Sequence, residues 1–235
     1  MLIGGTVIST VEFHKNMSLV IFLAKCPLKC KYCHNGELLD GGEETSWLDI
    51  KKTIDSSADF IDAVDLSGGE PLVQINAAIQ ILEYARSLGL KTKIDTSGIY
   101  PDKLKKLLDL NLVDYVAMDI KAPFSKYKKI VGSNVGSKVR KSMNLVREYD
   151  NVTLEARTTF VPTLLSKKDI KNLVDDIDAD IYTIQQFRNR NVLDKSLEDV
   201  ESPNPAELKK LAESIKPYFD GIIKIKTAEF GEQEV

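Results

Sequence analysis

Cys26-Pro27-Leu28-Lys29-Cys30-Lys31-Tyr32-Cys33-His34-Asn35 holds all three cysteines of the chain within eight residues, just after the apolar run Leu19-Val20-Ile21-Phe22-Leu23. Three thiols at spacings of four and three leave one over in any disulfide scheme, so the stretch does not read as a disulfide framework. The three can converge on one soft metal centre. A [4Fe–4S] cube normally takes four cysteines, and three leave one iron without a protein ligand. That is the counterpart of the open position that separates catalytic from structural zinc sites. An open iron can chelate a substrate. The competing reading is zinc held by Cys26, Cys30, Cys33 and His34, a Cys₃His set. Against it, the adjacent Cys33 and His34 would have to reach one tetrahedral ion, and no second cluster of Cys or His exists.

Working outward, Leu19 to Leu23 reads as a buried strand of the parallel type. Upstream, Ile3 to Phe13 carries Gly4-Gly5 and suggests a hairpin or edge strand. Downstream, Thr45 or Ser46 caps a helix reaching about Ser57. Ala63 to Leu66 is a second strand, and its helix (Ile75, Ala78, Ile79, Leu82, Ala85) stops at Gly89. Further strands are expected at Lys91 to Asp95, Tyr115 to Ile120, Val152 to Phe160 and Ile181 to Gln185. The helices between them are opened by Pro101, lie near Val139 to Tyr149, and are capped by Ser166 through about Ile177. Asn189 to Asn204 is a long loop, flexible enough to reshape around a ligand. A helix with Leu208, Leu211, Ala212 and Ile215 and a short strand, Ile222 to Lys226, come last. Strand and helix alternate about six times, which predicts an α/β fold with a parallel sheet, helices outside and an open, partial barrel. No linker or low-complexity segment divides residues 1–235, so one domain is expected.

The charge balance excludes several classes of function. A net charge of −3 with 29% charged and 43% hydrophobic residues is ordinary for a globular chain and gives no reason to expect nucleic-acid binding. No apolar run approaches the roughly 20 residues that span a bilayer. Met1-Leu2-Ile3-Gly4-Gly5 lacks the basic start and apolar core of a secretory leader. Reduced thiols imply the cytoplasm, and an open iron, being oxygen-labile, implies anaerobic metabolism.

Ligands of such sheets bind at the carboxyl ends of the strands, and three polar motifs fall there. Ser67-Gly68-Gly69-Glu70-Pro71 removes side chains where a ligand could approach the backbone, although a plain turn before a helix would look the same. Asp95-Thr96-Ser97-Gly98 and Asp119-Ile120-Lys121 place a carboxylate at each of two adjacent strand ends, fit to bind a sugar hydroxyl or a hard cation, or to cap the next helix. Arg157 lies among apolar and β-branched residues, where a buried guanidinium is costly unless paired. It either meets Asp95 or Asp119 or points into the site. Gln186, Phe187 and Arg188 are weaker candidates, and only Arg157 and Arg188 are expected in the space beyond the cofactor.

The spacing Cys-x₃-Cys-x₂-Cys, with Tyr32 just before the last cysteine, resembles the signature of the radical S-adenosylmethionine (SAM) superfamily, and His34-Asn35 resembles its glycyl-radical-enzyme activases. Val113-Asp114-Tyr115-Val116-Ala117-Met118-Asp119-Ile120-Lys121-Ala122-Pro123, Arg157-Thr158-Thr159, Gln185-Gln186-Phe187-Arg188 and Thr227-Ala228-Glu229-Phe230-Gly231 look like the anaerobic ribonucleoside-triphosphate reductase activating proteins. The resemblance implies a partial (β/α)₆ barrel and a [4Fe–4S] cluster on Cys26, Cys30 and Cys33. It implies SAM held by Tyr32, His34, Ser67, Gly68, Gly69, Glu70, Asp95, Thr96, Asp119, Lys121, Arg157 and Gln186, with a monovalent cation beside Asp95, Thr96 and Asp119. Ser97 stands where the activases usually have Asn. The implied reaction is reductive cleavage of SAM that leaves a glycyl radical on a partner such as anaerobic ribonucleotide reductase, with flavodoxin or ferredoxin as electron donor. A small-molecule enzyme like 7-carboxy-7-deazaguanine synthase, or an activase for another glycyl radical enzyme such as pyruvate formate-lyase, is the alternative.

Overall fold

Alternation with a period of two sorts the central strands into an outer apolar and an inner polar face. The computed structural model describes residues 1–235. Its strands are β1 (Leu2–Ser9), β2 (Ser18–Leu23), β3 (Glu43–Glu44), β4 (Ala63–Gly68), β5 (Lys91–Thr96), β6 (Tyr115–Asp119), β7 (Thr153–Phe160), β8 (Ile181–Gln186), β9 (Ile222–Thr227) and β10 (Gly231–Glu234). The helices are α1 (Trp47–Asp55), α2 (Ile75–Ser87), α3 (Pro101–Asp109), α4 (Tyr127–Val131), α5 (Gly136–Val146), α6 (Lys167–Val174) and α7 (Pro205–Ile215). Val64, Leu66, Ile94, Val116, Met118, Leu154, Ala156, Tyr182 and Ile184 point outward into one core cluster of 58 buried residues. Each large aliphatic side chain buried there contributes about 1.5–3 kcal/mol. The odd-numbered residues between them on β4 to β8, among them Asp65, Lys93, Asp95, Asp119 and Arg157, face inward. The near-continuous apolar run expected at Leu19 to Leu23 is β2, buried at every position but Phe22.

All strands form one sheet of order β10-β9-β8-β7-β6-β5-β4-β2-β1-β3. From β2 to β9 every pair is parallel. β1 and β10 are antiparallel additions at either side. The two ends do not pair, so this α/β barrel is partial and open along one seam. The seam is bridged nonetheless. The loop between β1 and β2 reaches across it, where Glu12 meets Lys226 at 2.8 Å and His14 meets Glu232 at 3.1 Å. Phe13 of the same loop packs on Tyr115, with ring centroids 5.1 Å apart.

Local signals explain the helices. Ser46 accepts from the Asp49 amide at the start of α1. Ser166 with Asp169 and Asn204 with Glu207 form capping boxes on α6 and α7; removing such a cap costs about 1 kcal/mol. Pro101 and Pro205 open α3 and α7, where a missing N–H is harmless. No helix is long and apolar enough to cross a membrane.

Candidate active site

The inner polar face opens into a cavity of about 980 Å³ at the carboxyl ends of the parallel strands. Cys26, Cys30 and Cys33 all lie on its wall, with Tyr32 and His34. The cysteine loop follows β2 and is held by backbone bonds: Cys26 N donates to Leu39 O at 3.2 Å, and Cys33 N to Cys30 O at 3.0 Å. Burial pushes the Cys26 thiol up to about 12 and raises that of Cys30. A thiolate here therefore needs a cationic partner, and the chemistry of a metal centre supplies one. No three His, Cys, Asp or Glu side chains stand close enough to hold a single ion, so the cage that one zinc would need is not preformed. A four-iron cube takes one thiolate at each of three corners and asks for thiols spread around a wider rim.

The Gly68-Gly69 turn lies against this loop. Gly69 N donates to Leu23 O and Glu70 N to Lys25 O, each at 2.9 Å. A Cβ on Gly69 would sit 2.5 Å from the Lys25 carbonyl and 3.3 Å from the Cys26 Cβ, and Gly68 holds a φ of +114°. Only glycine allows that approach. Gly69→Ala is expected to lower the unfolding free energy of the metal-free chain by about 1–3 kcal/mol, read by urea denaturation. An unchanged midpoint would mean that the turn has room to shift.

Glu70 takes a different part from the one expected. It is fully buried, does not reach the cavity wall, and has both oxygens occupied. Oε1 accepts from Thr96 Oγ1 at 2.9 Å and the Leu72 amide at 3.2 Å, while Oε2 accepts from the Ser97 amide at 2.8 Å and from Ser97 Oγ. Burial raises its carboxyl, and those four bonds oppose the shift. The side chain thus ties the turn after β4 to the turn after β5. Ser97 is its partner, although it also lines the cavity.

Six charges run through the interior in alternating sign. Asp65 Oδ2 meets Lys93 Nζ at 2.7 Å, and Lys93 also meets Asp95 Oδ1. Arg157 Nη1 is 3.2 Å from Asp95 Oδ1 and its Nε is 3.0 Å from Asp119 Oδ1. Lys121 Nζ lies 2.9 Å from Asp119 Oδ2. Register makes this possible: Asp65 neighbours Lys93, and Asp119 neighbours Arg157. The residue beside Asp95 on β6 is Ala117, small enough for Arg157 to reach over. Three positive and three negative charges cancel, which is what permits their burial. Burial alone would raise the Asp95 carboxyl, but Arg157 and Lys93 hold it far below the usual range. Asp65 goes the other way, pushed up to about 7 by burial and by Asp95.

Arg157 therefore does both things the sequence allowed, pairing with Asp95 and Asp119 while lining the cavity. Ser67, Gly68, Gly69, Asp95, Thr96, Asp119, Lys121 and Gln186 are on the same wall. Ser67 Oγ donates to Asp95 Oδ2 at 3.0 Å. Gln186 is largely engaged: its Oε1 accepts from the Ala228 amide at 2.7 Å and its Nε2 donates to Pro203 O at 3.0 Å. The loop from Asn189 to Asn204 is tied down more than its composition suggested. His34 Nδ1 donates to Arg190 O at 3.0 Å, and the Asp194 amide to Lys31 O at 2.8 Å. The far wall is also more polar than expected, adding Glu12, Gln185, Asn189, Arg190, Lys226 and Glu229. Sequence reasoning missed Asp65 and Lys93. The signal was present, since Lys93 and Asp95 are two apart and so share a strand face.

The pattern of the Radical SAM superfamily matches residues 20–179. A Methanocaldococcus jannaschii protein, provisionally named a glycyl-radical enzyme activating enzyme, is 37% identical over 230 residues, covering 94% of this chain and 95% of its own length. The pyruvate formate-lyase-activating enzyme of Clostridium pasteurianum is 29% identical over 223 residues, or 86% of this chain and 91% of that one. Among solved structures, Streptococcus suis SuiB bound to S-adenosylmethionine matches with a TM-score of 0.68 at 17% identity, over 88% of this chain. That likeness speaks for the fold alone, and the chain spans 49% of SuiB's length.

Proposed function

The chain belongs to the radical SAM superfamily and, within it, to the glycyl-radical-enzyme activating proteins, and on that premise we propose that it activates anaerobic ribonucleotide reductase. The observation that carries the site is the meeting of three thiols, a side-chain-free turn and a charge-balanced polar wall on one cavity. In this reading Cys26, Cys30 and Cys33 hold a [4Fe–4S] cluster. The cluster and SAM together supply a 5′-deoxyadenosyl radical by one-electron cleavage of the sulfonium. The Gly68-Gly69 backbone, placed against the cysteine loop, would accept hydrogen bonds from SAM's amino group. Tyr32 and His34 flank the last thiol, while Ser67, Thr96 and Gln186 shape the cavity's wall. Asp95 and Asp119 face hydroxyls, and Lys121 and Arg157 balance them and attract SAM's carboxylate. Glu70 acts through Ser97 and Thr96 by fixing two strand-end turns. A monovalent cation is not part of this proposal, because Arg157, Lys93 and Lys121 already balance both carboxylates. The single sheet and core support one domain, and the need for reduced thiols supports a cytoplasmic setting with flavodoxin or ferredoxin as donor.

The test is to incubate the reduced, iron-loaded chain and SAM with the candidate reductase and record an electron paramagnetic resonance spectrum. A glycyl radical doublet is the expected result. SAM cleavage without a doublet, for each glycyl radical enzyme of the same organism, would overturn the reading. One observation favours a second reading, in which a small polar molecule is the substrate. The far wall of the cavity carries Glu12, Gln185, Arg190 and Lys226, convergent polar groups of the kind that fix a small ligand. Pyruvate formate-lyase belongs among the candidates because its activase from C. pasteurianum is a relative.

A further inference from the structure

We propose that the exposed basic face built from the outer side of the cysteine loop and α4 docks an acidic one-electron carrier protein. The proposal rests on the cluster reading above and concerns how the cluster is refilled. A chain with only three cysteines has no second site for a cluster of this kind, so each electron used in cleaving SAM must arrive from another molecule. The carrier loses one electron and the cluster gains it, with no bond made or broken in either protein.

The charge pattern singles out one surface. Between Glu12 and Glu37 there is no acidic residue but four lysines, and between Asp119 and Glu148 none but eight lysines and arginines. In a chain of net charge −3 these are the two longest stretches without an acidic residue, and the fold brings them together. Lys29 N donates to Val131 O and Lys31 N to Ile130 O, each at 3.3 Å. Cys30, which sits between the two lysines, is thereby pinned to α4. Lys29, Lys128 and Lys129 are exposed and make no ion pair within the chain, whereas Lys126 and Lys31 pair with Asp169 and Asp194.

Position separates this face from the substrate's route. Lys29, Lys128 and Lys129 do not line the cavity, and neither does any residue of α4. A substrate must enter the cavity, but an electron need only reach a surface joined to a cluster ligand. The Ile130 and Val131 carbonyls are each one hydrogen bond from a residue that adjoins Cys30. An acidic protein face is the complement of three unpaired lysines, and such complementarity raises association rates about 10–10³-fold.

The test uses K128E/K129E, two exposed changes outside the cavity and its ligands. After iron content has been matched to the unaltered chain, reduction of the cluster by reduced flavodoxin is followed anaerobically by stopped flow. At low salt the second-order rate is expected to fall by about tenfold or more. The difference should vanish near 1 M salt, where the Debye length is about 3 Å. Calorimetry should show flavodoxin binding weakened by a similar factor, while photoreduced deazaflavin should reduce both proteins within twofold of each other. Equal flavodoxin rates and affinities would overturn the proposal. A loss that appears instead in glycyl radical yield with chemical reductant would assign the face to the radical enzyme. A chain that takes up no iron yet still binds flavodoxin in a salt-dependent way would remove the cluster reading and keep the surface.

Discussion

Cys30→Ala should leave a folded protein that, after anaerobic reconstitution, carries no [4Fe–4S] cluster and cleaves no SAM. The three thiols stand on one wall of the cavity, and the chain has no fourth cysteine to take the place of a lost one. Loss of the cofactor is a loss of the chemistry itself rather than of its tuning, so the rate should fall at least about 10³-fold, or about 4 kcal/mol of barrier. Cys26→Ala and Cys33→Ala should behave alike. Cys30 is the most informative position because it is buried and pinned between two backbone bonds to α4. Iron analysis and the visible spectrum read the outcome, and circular dichroism confirms that the fold persists. A variant that keeps its iron, or an unaltered protein that reconstitutes with one zinc and no iron, would sink the cluster assignment.

What the sequence made legible follows from how local each signal is. The cysteine loop, Ser67-Gly68-Gly69 and the two strand-end aspartates are short motifs at the ends of well-formed strands, and the cavity gathers nearly all of them. Helix starts at Ser46, Pro101 and Ser166 were equally local, set by caps and proline geometry. The misses are non-local. Glu70 reads as a cavity residue until the turn after β5 is seen to wrap it. The bridge from Glu12 and His14 to β9 and β10 joins residues more than two hundred positions apart, and no pattern in either segment announces it. The tethers on the loop from Asn189 to Asn204 belong to the same class, since they run to His34 and Lys31. α4 is five residues long with two adjacent lysines, too short for periodicity to declare it. Its value lies in the carbonyls it offers to the cysteine loop.

Lys93→Met should destabilise the metal-free fold increasingly as pH rises above about 7, towards the roughly 3–5 kcal/mol that marks a buried charge left without its partner. Lys93 is fully buried with Asp65 on one side and Asp95 on the other. Asp95 would keep Arg157 and Ser67, but Asp65 would keep nothing: its Oδ1 has no hydrogen-bond partner even with Lys93 in place. Asp65→Asn/Lys93→Met should therefore recover most of the loss, because it removes the stranded charge rather than a contact. The pH dependence carries a definite sign. The folded-state pKa of Asp65 is raised to about 7, above its unfolded value near 3.9, so the folded state holds the proton more tightly. Its ionisation costs stability increasingly as pH rises from about 4, and the cost levels off only above the folded pKa. Without Lys93 that pKa moves higher still and the cost keeps climbing. The deficit of Lys93→Met should thus be small at pH 5 and large at pH 8, read from urea unfolding at each pH. An equal deficit at both, or a double variant no more stable than Lys93→Met, would mean that Lys93 holds the fold through packing of its stem and not as the counter-ion of Asp65.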